Sequence, residues 1–340
     1  MLHLQTGFKH AILALVGGML LLLQSVIVHA GNIVDTAYVK AAAARGAILW
    51  DVRGWPAYRK GHLPGAVGIG AAGSALRNEH DEDYIPLPKI AAILGEAGID
   101  PAKEIIVYGD KASPATYFAL ATLQYLGAAK AYAYHGGLDD WAEAGEPVST
   151  EYRPLPPVTL NLTANPAMLV STREVVEKVK AGGAQIVDAR SPSEYAGSDI
   201  RALRGGHISG AVNIPYEQNW KDPETQKKLA RKQVKTTEGL NLKPLDDLRA
   251  LYKGLDPEKE TVVYCQSGVR AAVTATVLRD MGFKNVKLYD SSWLDYGNRM
   301  DAPAENVSYL NVGSLLNRVS ALESRIESLE GELARARGGR

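Results

Sequence analysis

The sequence predicts an α/β protein made of two copies of one unit, each a small parallel sheet covered by helices, followed by a C-terminal coiled-coil helix. Three observations support this prediction: an internal repeat, an alternation of short apolar strands with helical segments, and a heptad pattern near the C-terminus. A chain of 340 residues is long enough for two domains with residues to spare.

The internal repeat consists of two diverged copies of the same motif order. The first copy has Ile-Leu-Trp-Asp-Val-Arg at 48–53, Tyr58, and Gly-His-Leu-Pro-Gly-Ala at 61–66. The second has Ile-Val-Asp-Ala-Arg at 186–190, Tyr195, and Gly-His-Ile-Ser-Gly-Ala at 206–211. The spacing from Asp to Tyr is the same in both copies, and the second copy has an insertion before its histidine.

The alternation of segment types gives the domain boundaries. In each copy, short apolar strands alternate with helical stretches, which is typical of a parallel sheet with helices on its faces. The sequence Ser-Thr-Arg-Glu at 171–174 predicts a capping box that opens one helix. The predicted divisions are a signal peptide at 1–30, domain one at 35–150, a proline-rich linker at 151–167, domain two at 168–305, and a coiled-coil helix at 309–336.

The composition excludes partners that are attracted by net charge. The chain has 38 basic and 38 acidic residues, so its overall charge would not draw it to nucleic acid. No group of His, Cys, Asp and Glu has the spacing of a metal site, and we expect no metal or organic cofactor. His62 and His207 occupy matching Gly-His-x-x-Gly-Ala turns. Because both copies carry this histidine, a structural role is favoured over metal ligation or acid–base work.

Residues 1–30 have the pattern of a secretory signal peptide. One charged residue, Lys9, precedes an apolar run over 11–23, and Val28-His29-Ala30 offers a small-residue cleavage site. We therefore expect cleavage after Ala30 and a periplasmic location. The alternative is an uncleaved anchor helix that leaves the protein facing the periplasm, because the stretch 11–28 is just long enough to span a bilayer.

The single cysteine, Cys265, stands between an apolar strand at 261–264 and a predicted helix at 271–281. Exported proteins usually hold cysteines in pairs, so a lone thiol is informative. The loop that follows it consists of Gln266, Ser267, Gly268, Val269 and Arg270. Backbone N–H groups of such a loop and the positive end of the helix favour a thiolate. The alternative, an inert buried thiol, would not explain a glycine and an arginine at a strand–helix junction.

Taken together, these motifs resemble the rhodanese family of thiosulfate and mercaptopyruvate sulfurtransferases. The resemblance rests on the D-x-R strand ends, the G-H-I-x-G-A-x-N-I-P stretch, the strand–Cys–loop–helix unit, and the closing Y-D-x-S-W, and it covers about residues 35–305 in two copies. It implies two rhodanese-like domains with catalysis in the second. Domain one has Gly109 after its matching strand, where domain two has the cysteine, so a structural role is expected for it.

The resemblance also implies a double-displacement reaction. The Cys265 thiolate would take the outer sulfur of a donor such as thiosulfate and pass it from the persulfide to cyanide or a thiol. Asp188 and Arg190 of the D-x-R segment are supporting candidates. A persulfide carrier with little turnover on small donors is the alternative. The Cys-x4-Arg spacing is shorter than the Cys-x5-Arg of cysteine phosphatases and related arsenate reductases, which argues against phosphatase activity.

The donor is less clearly indicated by the sequence. Thiosulfate-specific relatives often place a cation at the third loop position and an arginine just before the aromatic residue of the D-x-R segment. This chain has Ser267 and Glu194 there. Arg201 and Arg204, in the insertion before His207, could supply replacement charge, although a solvated surface loop is the alternative.

The C-terminal segment predicts a two-stranded parallel coiled coil. Apolar residues recur in steps of three and four at Val312, Leu315, Val319, Leu322, Ile326, Leu329 and Leu333. The a positions are mostly β-branched and the d positions are leucine, which favours a dimer. Arg318 and Arg325 at g would face Glu323 and Glu330 at e of the partner. A lone amphipathic helix folded onto its own domain is the alternative to a homodimer.

Overall fold

The computed structural model describes residues 31–338 of the protein, so the predicted signal peptide at 1–30 lies outside the described residues. Within 31–338, no helix combines the length and the apolar character needed to cross a bilayer. The same part of the chain contains both predicted domains and the C-terminal helix.

Domain one is built on five parallel strands. They are β1 (Ile33–Val34), β2 (Ile48–Asp51), β3 (Val67–Gly68), β4 (Ile105–Tyr108) and β5 (Ala131–Tyr134). Its helices are α1 (Thr36–Ala44), α2 (Trp55–Lys60), α3 (Ala72–Ala75), α4 (Leu87–Glu96), α5 (Pro114–Tyr125) and α6 (Gly137–Glu143). The strand order is β1-β5-β4-β2-β3. Strands β2 and β4 are buried along their whole length, as expected for central strands covered on both faces.

Domain two repeats this arrangement. Its strands are β6 (Gln185–Asp188), β7 (Arg204–Ile208), β8 (Val212–Asn213), β9 (Glu260–Tyr264), β10 (Asn285–Leu288) and β11 (Ala304–Tyr309). Its helices are α7 (Thr172–Ala181), α8 (Pro192–Tyr195), α9 (Thr225–Ala230), α10 (Leu245–Leu251), α11 (Val269–Asp280) and α12 (Ser292–Tyr296), with 3-10 turns at Tyr216–Asn219 and Glu238–Leu240. The parallel order β10-β9-β6-β8 matches β5-β4-β2-β3 of domain one. The predicted repeat is therefore a repeat of strand order.

Two details of domain two differ from the sequence expectations. The insertion before His207 is not a surface loop throughout, because β7 pairs antiparallel with β11 in a separate two-stranded sheet. This pairing carries domain two to Tyr309, beyond the predicted end at 305. The helix after the cysteine begins at Val269 rather than at 271. The capping box of α7 is present as predicted, with Ser171 and Glu174 bonded reciprocally.

The linker at 151–167 packs against domain one. Apart from its last two residues, which begin a turn, it has no regular secondary structure, and Leu155, Leu160 and Leu162 pack on the core. The Val158 N–H donates to the Gly95 carbonyl at the end of α4 over 2.9 Å. A side chain at position 95 would meet the Val158 carbonyl at 2.4 Å, so glycine is required for this close approach.

Helices α5 and α11 join the two domains by packing against each other. Both are buried almost all round, over 116–123 and 271–278. Because α11 begins at the cysteine loop, this interface fixes the loop relative to domain one.

The C-terminal helix α13 (Val312–Gly338) projects its apolar seam into solvent. The seven predicted seam residues are 42% to 63% exposed. The helix therefore does not fold its seam onto its own domain. Its first turn is held by Asn311, whose Oδ1 accepts from the Ser314 N–H at 2.9 Å.

Candidate active site

Cys265 lies directly after the central strand β9 and four residues before α11. Its side chain is 1% exposed and belongs to the main apolar cluster, which also contains Tyr216. Of the loop residues, Gln266 is buried, while Ser267, Val269 and Arg270 are partly exposed. The carboxyl end of a central parallel strand is the usual place for a reactive group in this architecture.

The loop turns sharply at Gly268. This residue has φ +77° and ψ −32°, and the Val269 N–H donates to the Ser267 carbonyl at 2.9 Å, which closes a γ-turn. A Cβ at position 268 would lie 2.4 Å from Asp290 Oδ1. The positive φ favours glycine and the close carboxylate leaves no room for a Cβ, which agrees with the role predicted for Gly268.

A group of N–H donors follows the cysteine. Among the described residues, no acceptor takes the N–H groups of Gln266, Ser267, Arg270 and Ala271. The last two are donors of the first helical turn, which has no intrahelical acceptors. Four free donors in one loop and helix end can bind an anionic sulfur species.

Ser292, the first residue of α12, holds the loop from outside. Its Oγ accepts the N–H groups of Cys265 at 3.1 Å and Gly268 at 3.0 Å, and donates to the Tyr289 carbonyl at 2.7 Å. It has φ +52°, a conformation that costs energy for a residue with a side chain. Sequence reasoning did not assign it, although the Y-D-x-S-W motif contains it.

Arg270 is neutralised by Glu194. Arg270 Nη1 and Nη2 donate to Glu194 Oε2 and Oε1 at 2.7 and 2.8 Å, a bidentate pair. Burial raises the pKa of Glu194, but the hydrogen bonds and charge of Arg270 outweigh this effect and lower the pKa to about 2. Burial lowers the pKa of Arg270, but Glu194 and the nearby Cys265 raise it above its ordinary value. Position 194, interpreted from the sequence as a missing cation, is thus the partner of the loop arginine.

Two further groups face this pair. Arg201 Nη1 donates to Glu194 Oε1 at 3.2 Å, and its carbonyl accepts from Gln266 Nε2 at 2.8 Å. Glu217 is near enough to interact with Arg270; burial raises the pKa of Glu217, and Arg270 opposes that rise. Side-chain charges around the loop are therefore balanced, and no free side-chain cation stands at the third loop position.

Arg204 neither supplies charge to the loop nor lies in a solvated surface loop, the two alternatives that the sequence left open. Its Nη2 donates to the carbonyls of Arg299 and Ala302 at 2.7 and 2.8 Å, and its guanidinium lies 5.9 Å from the Trp293 ring centroid. The side chain is 4% exposed. Arg204 lies on β7, and the pairing of β7 with β11 directs its side chain into the domain. Of the two arginines in the insertion, Arg201 is the one that contacts the loop.

Asp188 and Arg190 support the strand ends rather than the reacting sulfur. Arg190 binds Asp188 through Nε at 3.0 Å and Nη2 at 2.6 Å and also donates to the Gly206 carbonyl, while the Tyr264 hydroxyl donates to Asp188 Oδ2 at 2.6 Å. Asp51 and Arg53 make the same pair in domain one, with a bond to the Gly61 carbonyl. A set that recurs in the domain without a cysteine belongs to the scaffold.

The paired histidines also serve the scaffold. His62 stacks on Tyr58 with ring centroids 3.9 Å apart, and His207 stacks on Tyr195 at 3.6 Å. Each Nδ1 bonds the carbonyl of the tyrosine below it. Within 31–338, no cluster of three or more His, Cys, Asp or Glu could hold a metal ion.

Comparisons with known proteins assign the fold to a family. A model described as Rhodanese-like domain matches residues 35–144 and 171–299. The chain belongs to the rhodanese family. A thiosulfate sulfurtransferase of Corynebacterium glutamicum is 34% identical over 262 residues, covering 73% of this chain and 81% of that protein. Sulfur carrier protein TtuD of Thermus thermophilus is 31% identical over 264 residues, covering 72% and 86%.

Among solved structures, SseA from Escherichia coli, described as a 3-mercaptopyruvate sulfotransferase, matches with a TM-score of 0.64 and 27% identity. The match covers 77% of this chain and 99% of SseA. The predicted tandem of rhodanese-like domains is confirmed, and so is the class of activity: this member of the rhodanese family is a sulfurtransferase.

Proposed function

We propose that the protein moves sulfane sulfur from thiosulfate or a related donor to cyanide or a thiol acceptor through a persulfide on Cys265. The observation that carries the proposal is the set of four N–H groups after the only cysteine, in the loop and first helical turn, that have no acceptor within 31–338. Such donors stabilise negative charge on the thiolate and on the persulfide that replaces it.

The reaction balances without an external oxidant or reductant. The Cys265 thiolate attacks the outer sulfur of thiosulfate, the sulfur–sulfur bond of the donor breaks, and sulfite leaves with the electron pair. Cyanide then attacks the outer persulfide sulfur, thiocyanate leaves, and the thiolate is restored. Acceptance and donation are separate steps, so ping-pong kinetics are expected.

A persulfide carrier with little turnover is the second candidate. Two observations favour it: a relative that is 31% identical is named a sulfur carrier, and Glu194 neutralises the loop arginine. A dianionic donor would be bound by backbone N–H groups with little help from side-chain cations, which would slow loading.

The test is thiocyanate formation from thiosulfate and cyanide by the protein starting at residue 31, beside Cys265→Ser. Turnover that the substitution abolishes would support the enzyme. Absence of turnover together with a persulfide-sized mass gain on Cys265 from thiosulfate or mercaptopyruvate would support the carrier. If neither donor adds mass to Cys265, the proposal is wrong. Circular dichroism of Cys265→Ser controls for loss of fold.

We also propose export to the periplasm with cleavage after Ala30. Support comes from the apolar run over 11–23 and the small residues at the junction. Intact mass of the protein recovered from a periplasmic fraction should correspond to a start at Gly31. A start at Met1 in the membrane fraction would indicate an uncleaved anchor, and recovery from the cytoplasm would refute export.

Finally, we propose that α13 forms a parallel two-stranded coiled coil with a second copy. Its seam is exposed, and its charges suit this partner: Arg318 and Arg325 at g face Glu323 and Glu330 at e of the other helix. A third pair also joins opposite charges, because Glu332 at g would face Arg337 at e of the other helix. An antiparallel pairing centred on the helix would instead bring the two Glu-bearing e positions together.

Oligomeric state tests this proposal. Light scattering or sedimentation of the protein starting at residue 31 should give a dimer, and Leu322→Glu should give a monomer. Ser324→Glu is the matched control, because it adds the same charge at an f position on the opposite side of the helix. A monomeric wild-type protein, or a dimer unaffected by Leu322→Glu, would refute the assignment.

A further inference from the structure

One peptide group in the cysteine loop is held at both ends by residues outside the loop. The Ser267 carbonyl accepts from Arg77 Nη1 at 2.7 Å as well as from the Val269 N–H. The Gly268 N–H of the same peptide donates to Ser292 Oγ at 3.0 Å. Since a peptide group is planar and rigid, fixing its oxygen and its N–H fixes its orientation completely.

Arg77 comes from domain one, 190 residues before Ser267 in the chain. It follows α3 and is 5% exposed. Its Nη2 donates to Asp290 Oδ1 at 3.2 Å, and its guanidinium lies 4.9 Å from the Phe118 ring centroid on α5. The Asp290 carboxylate also blocks any side chain at position 268. Arg77 and Asp290 thus enclose the γ-turn from its outer side.

Burying a guanidinium is costly, and this one is incompletely satisfied. Arg77 Nε has no hydrogen-bond partner among the described residues. Its contacts with carboxylates are 3.2 Å to Asp290 and 3.6 Å to the half-exposed Glu82. The short bond is the one to the Ser267 carbonyl. A buried ion pair is weak evidence for stability, so the geometry points to a use in the loop.

We propose that Arg77 is a positioning residue for sulfur transfer at Cys265. By holding the Ser267 carbonyl away from the reacting sulfur, it keeps the γ-turn at Gly268 closed and the free N–H groups of the loop oriented toward bound sulfur. The domain without a cysteine thereby completes the active site. The inference rests on the proposed sulfur transfer, since the loop donors matter only if they hold a sulfur anion.

The expected signature separates positioning from binding and from stability. Arg77 donates to the Ser267 carbonyl and to Asp290 rather than to Cys265, so its loss should lower kcat for thiosulfate with less than about a twofold change in KM. Misplacing oriented donors by about 1 Å can cost about 100-fold, so we expect Arg77→Ala to lower kcat about 100-fold. Arg77→Lys retains one bond to the carbonyl and should lose about tenfold.

The experiment measures the rate of persulfide loading of Cys265 against thiosulfate concentration in wild type, Arg77→Ala and Arg77→Lys, with rates normalised to the folded fraction. Here kcat is the limiting loading rate and KM is the thiosulfate concentration that gives half of it. Methylguanidinium added to Arg77→Ala should recover at least part of the lost rate, because it replaces the missing group. Asn32→Ala is the matched control. It removes a domain-one side chain that binds Asp280 at the far end of α11, and it should leave loading unchanged.

Three results would overturn the proposal. A raised KM with unchanged kcat would make Arg77 a donor-binding residue. If the folded fraction of Arg77→Ala loads sulfur at the normal rate and only its unfolding midpoint is lower, the role of Arg77 is purely structural. The same conclusion follows if Asn32→Ala loses as much of the loading rate as Arg77→Ala. If wild type itself fails to load sulfur, the proposed function fails instead, and the two failures are distinguished.

Discussion

Replacing Glu194 with glutamine would keep the size of the side chain and remove the charge that Arg270 and Arg201 share. The carboxylate is 3% exposed, so solvent does little to screen the pair. Its pKa falls from an ordinary value of 4.5 to about 2. At about 1.4 kcal/mol for each pH unit, this difference corresponds to about 3 kcal/mol of folding stability. That value agrees with the roughly 3–5 kcal/mol usual for breaking one side of a buried pair.

The sign of the pH dependence follows from linkage. Folding lowers the pKa of Glu194, so the native state binds fewer protons there than the unfolded chain. The stabilisation is present above about pH 4.5 and is lost as the pH falls through about 2. Glu194→Gln lacks it at every pH. The stability difference between wild type and variant should therefore be greatest near pH 7 and shrink in acid.

Urea unfolding at pH 7, 5 and 3.5 measures this difference. Glu151→Gln is the matched control, because it makes the same substitution in an exposed pair with Arg153 and should change stability little. A loss below about 1 kcal/mol at pH 7, or a difference that stays constant down to pH 3.5, would refute the pairing as the source of stability.

The remaining predictions concern the loop. Gly268→Ala should lose thiosulfate turnover and at least about 1–3 kcal/mol of stability, measured by urea unfolding, because φ is positive and Asp290 blocks the Cβ. Ser292→Ala should lower kcat about tenfold, because two buried N–H groups lose their acceptor. Ser292→Gly should lower kcat by the same factor as Ser292→Ala. It should be the more stable of the two variants, since glycine tolerates φ +52°. Burial raises the pKa of Asp290 to about 7, so its ionisation opposes folding, and the stability of wild type relative to Asp290→Asn should fall as the pH rises from about 4 to 7. Gly109→Cys in a Cys265→Ser background should gain no persulfide mass from thiosulfate.

The sequence predicted those features that depend on local pattern or on repetition. The shared strand order of the two domains follows from the matched motifs, and the place of Cys265 follows from one apolar strand and the residues after it. The capping box at Ser171 is likewise local. Each of these needs only neighbouring residues or a second copy for comparison.

The features that escaped prediction all depend on approach between distant segments. Arg77 reaches Ser267 across 190 positions, and Glu194 reaches Arg270 across 76. Nothing in the spacing of the sequence indicates either pair. For Arg204 the sequence left open loop charge or a solvated surface loop, and neither holds, because the β7–β11 pairing that buries it joins segments far apart in the chain. Electrostatic roles in this site are set by tertiary contacts: the sequence shows the glutamate at 194 but not its pairing with Arg270.

A comparison of the cysteine loop with the matching loop of domain one shows which features are specific to the domain that has the cysteine. Counting from Tyr108 and Tyr264, position 112 corresponds to 268, and Ala112 has φ +60° where Gly268 has φ +77°. Both domains therefore have a residue with positive φ at this position, and the positive φ does not by itself make a site. What domain two adds is the cysteine, the Ser292 hydroxyl where domain one has a glycine at 137, and Arg270 where domain one has Pro114.

Each of these differences removes a requirement for sulfur transfer from domain one. Gly137 has φ +55°, so it keeps the backbone of Ser292 without the acceptor that holds the loop N–H groups. Pro114 opens α5 but has no N–H, so one of the four free donors of domain two has no counterpart. A cysteine at 109 would thus have the same fold around it but not the full set of N–H donors. Both domains position a loop at the same place on the sheet. The cysteine, Ser292 and Arg270 decide that only the loop of domain two can carry sulfur.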